Sequence, residues 1–252
     1  INPAEFDAQL NFSLYKKAKN HFSGLEIDFV DLNKSIIENL HIYQPINLMG
    51  TFTSLNNEAR FISVADGQLT YHDDSSSAFK NSPQKISNPV SYEKLFMFTT
   101  MNNSLPGIPI IYYGEEYGQP GADGPDSKRD MKFQRELTIL ESHLKKRVSK
   151  LNLLRNQYPA LSIGDFLVLR ESKNYTVWLK SYYNEKIIII YNLQNQIIDL
   201  NIPLPFEAFK LTSLLDDEII LLDNPKMANL IIPLYQFLIY LHKMQSLGHH
   251  YP

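Results

Sequence analysis

The residues from Pro106 to Gly118 read Pro-Gly-Ile-Pro-Ile-Ile-Tyr-Tyr-Gly-Glu-Glu-Tyr-Gly, and this stretch decides the fold. Pro106-Gly107 punctuates the chain, and an uncharged, β-branched run from Ile108 to Tyr113 follows. Such a run between turn signals predicts a strand buried on both faces, as in a parallel sheet covered by helices. The flanks agree. Upstream, Tyr92 to Met101 has a helical pattern. Downstream lies a loop rich in Gly, Pro and Asp, Gly114 to Lys132. Beyond it Leu137, Leu140, Leu144, Val148, Leu151 and Leu154 recur at helical steps, with Glu141 and Lys145 placed as an i,i+4 pair. Tyr158-Pro159 stops that helix.

The same alternation continues toward the start of the chain. Phe6 to Phe12 places Phe6, Ala8, Leu10 and Phe12 on one strand face. A helix is expected from Ser13 to about Phe22, ended by Gly24, and a second from about Phe29 to Leu40. Ile46 to Phe52 reads as a strand, followed by a polar loop from His72 to Pro89. Past Ala160 the rhythm turns to strands only: Phe166–Leu169, Tyr175–Lys180, Lys186–Asn192, Ile197–Ile202, Phe209–Ser213, Glu218–Leu222, Ala228–Ile232 and Gln236–His242. Regular short strands with polar turns predict an antiparallel β-sandwich. The expected boundary therefore divides residues 1–159, of βα type, from residues 160–252, all β.

Composition limits the function. The chain has 252 residues, 24 basic and 27 acidic side chains and a net charge of −3, which argues against a general nucleic-acid binder. With no cysteine there is no disulfide, thiol nucleophile or thiolate metal site. Fifteen tyrosines and 14 phenylalanines suit sugar-stacking surfaces as readily as cores. The longest apolar stretch, Ile231 to Leu241, is broken by Pro233 and Gln236 and falls short of the roughly 20 residues a membrane span requires. The chain opens Ile-Asn-Pro-Ala-Glu, with no initiator Met or leader pattern, so it is expected to begin inside a longer product. No compartment follows from this.

Four segments in order carry a resemblance to the α-amylase family of glycoside hydrolases. Gly107, Pro109, Gly114 and Glu116 meet the family's Gly-x-Pro-x-x-x-x-Gly-x-Glu pattern at the last barrel strand, and Asp126 and Arg129 loosely match the turn after it. Lys150-Leu-Asn-Leu-Leu-Arg155-Asn-Gln-Tyr-Pro159-Ala-Leu161 is similar to the family's barrel ending, with Gly164-Asp165-Phe166 leading onward. Phe6 to Leu14 resembles the sixth barrel strand. The resemblance spans essentially the whole chain. It implies an α/β fold, a partial (β/α)8 TIM barrel made of the last three βα units, then an antiparallel β-sandwich domain. It also implies an α-glucan or oligosaccharide as ligand, no cofactor, and the missing N-terminal half of the barrel as partner. A barrel takes roughly 250 residues by itself, so 159 are too few to close one.

Retaining glycoside hydrolysis needs two carboxyl groups roughly 5–5.5 Å apart. The family supplies them after its fourth and fifth strands, from a Gly-x-Arg-x-Asp motif and a later Glu, and none of the six arginines here sits in that motif. No catalytic pair is expected in this chain. The family's third carboxylate lies in Asn-His-Asp-x-x-Arg-Phe. Anchoring on Arg60-Phe61 puts Leu55, Asn56 and Asn57 at those three positions. An amide at 57 keeps the shape and loses the negative charge, and charge stabilisation is usually the largest catalytic term. Glu58 replaces it only by a one-residue shift that breaks the spacing to Arg60.

The resemblance therefore implies sugar contacts from Asn56, Asn57, Arg60, Glu116 and Arg129. The family reading is thus an α-glucan hydrolase portion, inactive as this chain alone, or a non-catalytic carbohydrate-binding or scaffold relative. Asp123 and Asp126 fall short of the six to eight oxygens calcium takes, so no metal is expected. Arg129 is equally suited to a salt bridge with Asp126 or Asp130. Trp178 is expected in the core, Asp73-Asp74-Ser75 in a solvated turn, and His249-His250 in a tail without function. Sequons stand at Asn33, Asn102 and Asn174.

Overall fold

A computed structural model describes residues 8–43, 48–69 and 85–243. Phe6, the Asp73-Asp74-Ser75 turn and His249-His250 lie outside the described residues. The first part alternates as expected: β1 (Ala8–Leu10), α1 (Phe12–Ser23), α2 (Phe29–Tyr43), β2 (Leu48–Phe52), α3 (Phe61–Ala65), α4 (Val90–Ser104), β3 (Ile108–Ile110), α5 (Ile139–Gln157) and α6 (Pro159–Ile163). The three strands form a parallel sheet in the order β1-β2-β3. Gly24 ends α1 in the left-handed conformation, φ 92°, donating to the carbonyls of Asn20 and His21.

Two expectations, at Phe12 and at Glu141, need correcting. Phe12 belongs to α1, not to the first strand, because Asn11 caps the helix with its side chain on the Leu14 N–H. Tyr158-Pro159 stops α5 as expected: the helix ends at Gln157 with Tyr158 as its C-cap, and Pro159 occupies the first turn of the separate α6, where its missing N–H costs nothing. Glu141 pairs with Lys132 at 2.6 Å rather than with Lys145, because its second oxygen is taken by the capping box with Thr138.

Strand register sorts the parallel sheet into two unequal faces. Leu10, Gly50 and Ile108 are direct partners, as are Ala8 and Leu48, and Phe52 and Ile110. The other face carries Met49 and Thr51, both buried, with the Thr51 hydroxyl against the Asn102 carbonyl of α4 at 3.4 Å. On the first face Leu10 is 38% exposed, Leu48 50% and Ile108 43%. Phe52 on that same face is buried, so the cover is partial: Ile108 is exposed and Pro109 to Tyr113 are half-buried, against the expectation of burial on both faces.

From Asp165 the chain is strand only: β4 (Asp165–Glu171), β5 (Tyr175–Tyr182), β6 (Glu185–Asn192), β7 (Ile198–Pro203), β8 (Lys210–Ser213), β9 (Ile219–Leu221), β10 (Met227–Ile232) and β11 (Gln236–Lys243). Each expected strand is present, and all pairings are antiparallel. They form a six-stranded sheet, β4-β5-β6-β11-β8-β9, and a two-stranded one, β10-β7. The alternation of β5, β6 and β11 sends side chains both ways. Trp178, Ile187, Ile189, Tyr191, Phe237 and Ile239 join one core with Phe22, Phe29 and Phe96 of the helices. Val177, Leu179, Ile188 and Ile190 join a second with Leu200, Ile202, Leu230 and Ile232 of β7 and β10. No helix among the described residues is long and apolar enough to cross a membrane.

Asn33 explains how the helices hold that sheet. It is buried, its carbonyl accepts from Trp178 Nε1 at 2.8 Å, and its amide donates to Glu171 at 2.7 Å and Thr176 at 2.9 Å. Its sequon is thus a packing joint. Asn102 is buried too, whereas Asn174 is exposed. Replacing Asn33 by alanine strands the indole N–H, so urea midpoints should report a loss of about 2–3 kcal/mol. A variant as stable as the parent would remove the joint's importance.

Candidate functional site

The C-terminal ends of parallel strands gather loops where αβ folds place ligands. Here the loop after β2 (Thr53 to Arg60) meets the loop after β3 (Ile111 to Lys132). Their junction is Arg60. Its side chain is fully buried; Nε donates to the Ser127 carbonyl at 3.0 Å, and Nη1 donates to the Tyr113 carbonyl at 2.6 Å. The same Nη1 pairs with Glu115 at 3.4 Å. The guanidinium also lies over Tyr112 and Tyr113, 4.3 and 4.8 Å from the ring centroids. The Arg60 N–H donates to the Gly121 carbonyl. One side chain therefore bolts two strand-end loops together.

Glu115 is the acidic half of that bolt. It is buried, and Thr53 donates to it at 2.8 Å. Burial pushes its carboxyl above the ordinary range, opposed by Arg60 and by the Thr53 and Ser54 hydroxyls. Gly114 makes the turn that brings Glu115 inward: it holds φ 85°, and a Cβ there would meet the Gln119 side-chain oxygen at 2.2 Å. Gln119 then ties the loop to the carbonyls of Arg129 and Asp130.

A second ion pair anchors the loop from below. Lys19 of α1 is buried and reaches Glu58 at 3.1 Å, with the Tyr15 hydroxyl 3.5 Å from the same oxygen. Burial lowers the Lys19 ammonium, and the Glu58 charge opposes the shift. With its carboxylate held by α1, Glu58 is turned toward the helix. Asp126 is held by Arg129 through two parallel bonds of 2.8 Å.

The five residues expected to touch sugar are therefore placed very differently. Asn56 and Asn57 are exposed at the tip of the loop, with the Asn56 carbonyl held by the Ser127 hydroxyl at 2.8 Å. Glu116 and Arg129 are half-buried, and Arg60 is enclosed. Sequence reasoning missed Lys19 and the inward turn of Glu115. A signal existed for the first: Lys19 falls on the stripe of Tyr15, Ala18 and Phe22, which α1 buries, and a lysine there requires an acidic partner.

No family model matches the chain. It is 27% identical over 222 residues to a cyclomaltodextrinase of Geobacillus thermopakistaniensis, covering 85% of this chain and 33% of that protein. It is 33% identical over 127 residues to an amylopullulanase of Thermoanaerobacter thermohydrosulfuricus, covering 50% and 8%. Among solved structures, an Anoxybacillus α-amylase superposes with a TM-score of 0.77 at 26% identity, over 96% of this chain and 48% of that one. The α-amylase of Geobacillus thermoleovorans, solved with acarbose, shares the fold with a TM-score of 0.75 at 23% identity, over 95% and 49%. The chain thus spans about a third of the first curated relative and half of these solved structures.

Proposed function

Because the chain belongs to the α-amylase family of glycoside hydrolases and matches its C-terminal region, we propose that it is the C-terminal portion of a retaining hydrolase of α-linked glucans. In this reading residues 1–159 are the last three βα units of a (β/α)8 barrel, and residues 160–252 are a β-sandwich domain. The exposed apolar side chains of Leu10, Leu48 and Ile108 support it, since parallel sheets are covered on both faces. A further part of the barrel, running parallel to β1 and β3, would supply that cover and the nucleophile and acid.

Within this chain Asn56 and Asn57 face the sugar, Glu116 and Arg129 border it, and Arg60 fixes the loop that carries them. The observation that carries the reading is the charge state of this rim. Each carboxylate of Glu58, Glu115 and Asp126 is engaged by a cation, and the exposed tip presents two neutral amides. Amides match sugar hydroxyls as donors and acceptors, but they supply no charge to an oxocarbenium-like transition state. The chain alone should therefore release no reducing sugar from starch. Measurable turnover by the purified chain would overturn this.

The same observation favours a second reading, a non-catalytic carbohydrate-binding or scaffold relative. The upstream coding sequence separates the two. A Gly-x-Arg-x-Asp motif and a later strand-end Glu there support the enzyme portion, and a stop codon without them supports the second.

A further inference from the structure

The turn from β5 to β6 consists of Tyr183 and Asn184 alone. Two-residue hairpins call for positive φ, which Gly and Asn adopt freely and a bulky side chain does not. Tyr183 nevertheless holds φ 46°, and the residue is 83% exposed. It neither fills a core nor eases the turn, and such strained residues concentrate where a ligand is held. Tyr182 stands edge-on to it, with ring centroids 4.7 Å apart.

Register builds the rest of the surface. Asp165, Ser181 and Lys186 are direct partners across β4, β5 and β6, so their side chains form one row on one face. With Ile163 and the two tyrosines they line an open groove of about 310 Å³. The row offers a carboxylate, a hydroxyl and an ammonium, and the Lys186 ammonium also holds the turn through the Tyr183 carbonyl at 3.2 Å. Opposite charges within one row suit a neutral ligand. An exposed ring beside hydroxyl-binding groups suits a flat, hydroxylated one.

The geometry points to a carbohydrate-binding site in this groove, separate from the strand-end loops: a sugar ring lies on Tyr183 and its hydroxyls bond to Asp165, Ser181 and Lys186. The carbohydrate class rests on the groove itself, and the choice of an α-linked gluco-oligosaccharide rests on the family reading above.

The test is a titration of the full chain with maltoheptaose, followed by amide chemical shifts. Asp165, Ser181 and Lys186 should move together on one binding curve. Tyr183→Gly relieves the backbone strain, so the fold is retained, yet affinity at these amides should fall about ten-fold with the ring contact gone. Tyr183→Phe should keep most of the binding. Tyr235→Gly relieves a similar turn, φ 45°, outside the groove and should change nothing. Still amides in the parent chain, or a Tyr183→Gly curve matching the parent's, overturn the proposal. Starch turnover by the chain bears only on the family reading and leaves this result intact.

Discussion

Replacing Arg60 by alanine is expected to remove about 3–5 kcal/mol of folding stability, enough to unfold most marginally stable chains. Glu115 would stay fully buried with its counter-ion gone, retaining only the Thr53 and Ser54 hydroxyls. The carbonyls of Tyr113 and Ser127 would lose their donor at the same stroke. The double variant Arg60→Met with Glu115→Gln removes both charges, and it should be more stable than the single Arg60→Ala change. Urea denaturation of the three chains decides it. If Arg60→Ala unfolds at the parent's midpoint, the two loops are not held together by this pair.

The second large effect is a loss of stability in acid through His21. The ring is 2% exposed, between Phe22 and Phe29 at 5.1 and 4.1 Å, and Nδ1 accepts the Asp28 N–H at 3.0 Å. The proton therefore sits on Nε2, which has no hydrogen-bond partner among the described residues. Burial pushes the imidazolium down to about 3 from the ordinary 6.5, with Asp28 opposing weakly. Above pH 6.5 the ring is neutral in both states, so its ionisation costs nothing. As pH falls below 6.5 the unfolded chain takes up a proton that the folded chain refuses, so stability drops by roughly 1.4 kcal/mol per pH unit until about pH 3. Between pH 7 and pH 4 the parent should lose about 3 kcal/mol more than His21→Asn, whose side-chain carbonyl still serves the Asp28 N–H. Parallel stability curves for the two chains would refute the assignment.

The parts of the fold legible in the sequence are those that repeat. The apolar steps from Leu144 to Leu154 and the eight strand patterns after Ala160 recur often enough to override any one residue. Single contacts without a period stayed hidden. Glu115 and Glu116 look alike in sequence, and only the turn at Gly114 sends the first inward and leaves the second half-buried at the rim. Lys145 stands at the textual distance of an ion pair from Glu141, but a loop lysine, Lys132, arrives at closer quarters. Ile108 carries the composition of a doubly buried strand, yet composition cannot say whether a second cover is present. The candidate site was legible as a place, from the family spacing around Arg60-Phe61. Its charge arrangement was not, because Lys19 is about forty residues from the carboxylate it meets.

The six-stranded sheet has one further consequence. Neighbouring residues on β6 serve different masters: Ile189 and Tyr191 pack on the helices, Ile188 and Ile190 on the small sheet. A wall shared in this way makes the compositional border near Ala160 a poor place for evolution to recombine. A β-module lifted onto another set of helices would carry Trp178, Tyr191 and Phe237 shaped for helices it had left behind. The two halves of this sequence are bound to drift together, residue answering residue across the sheet.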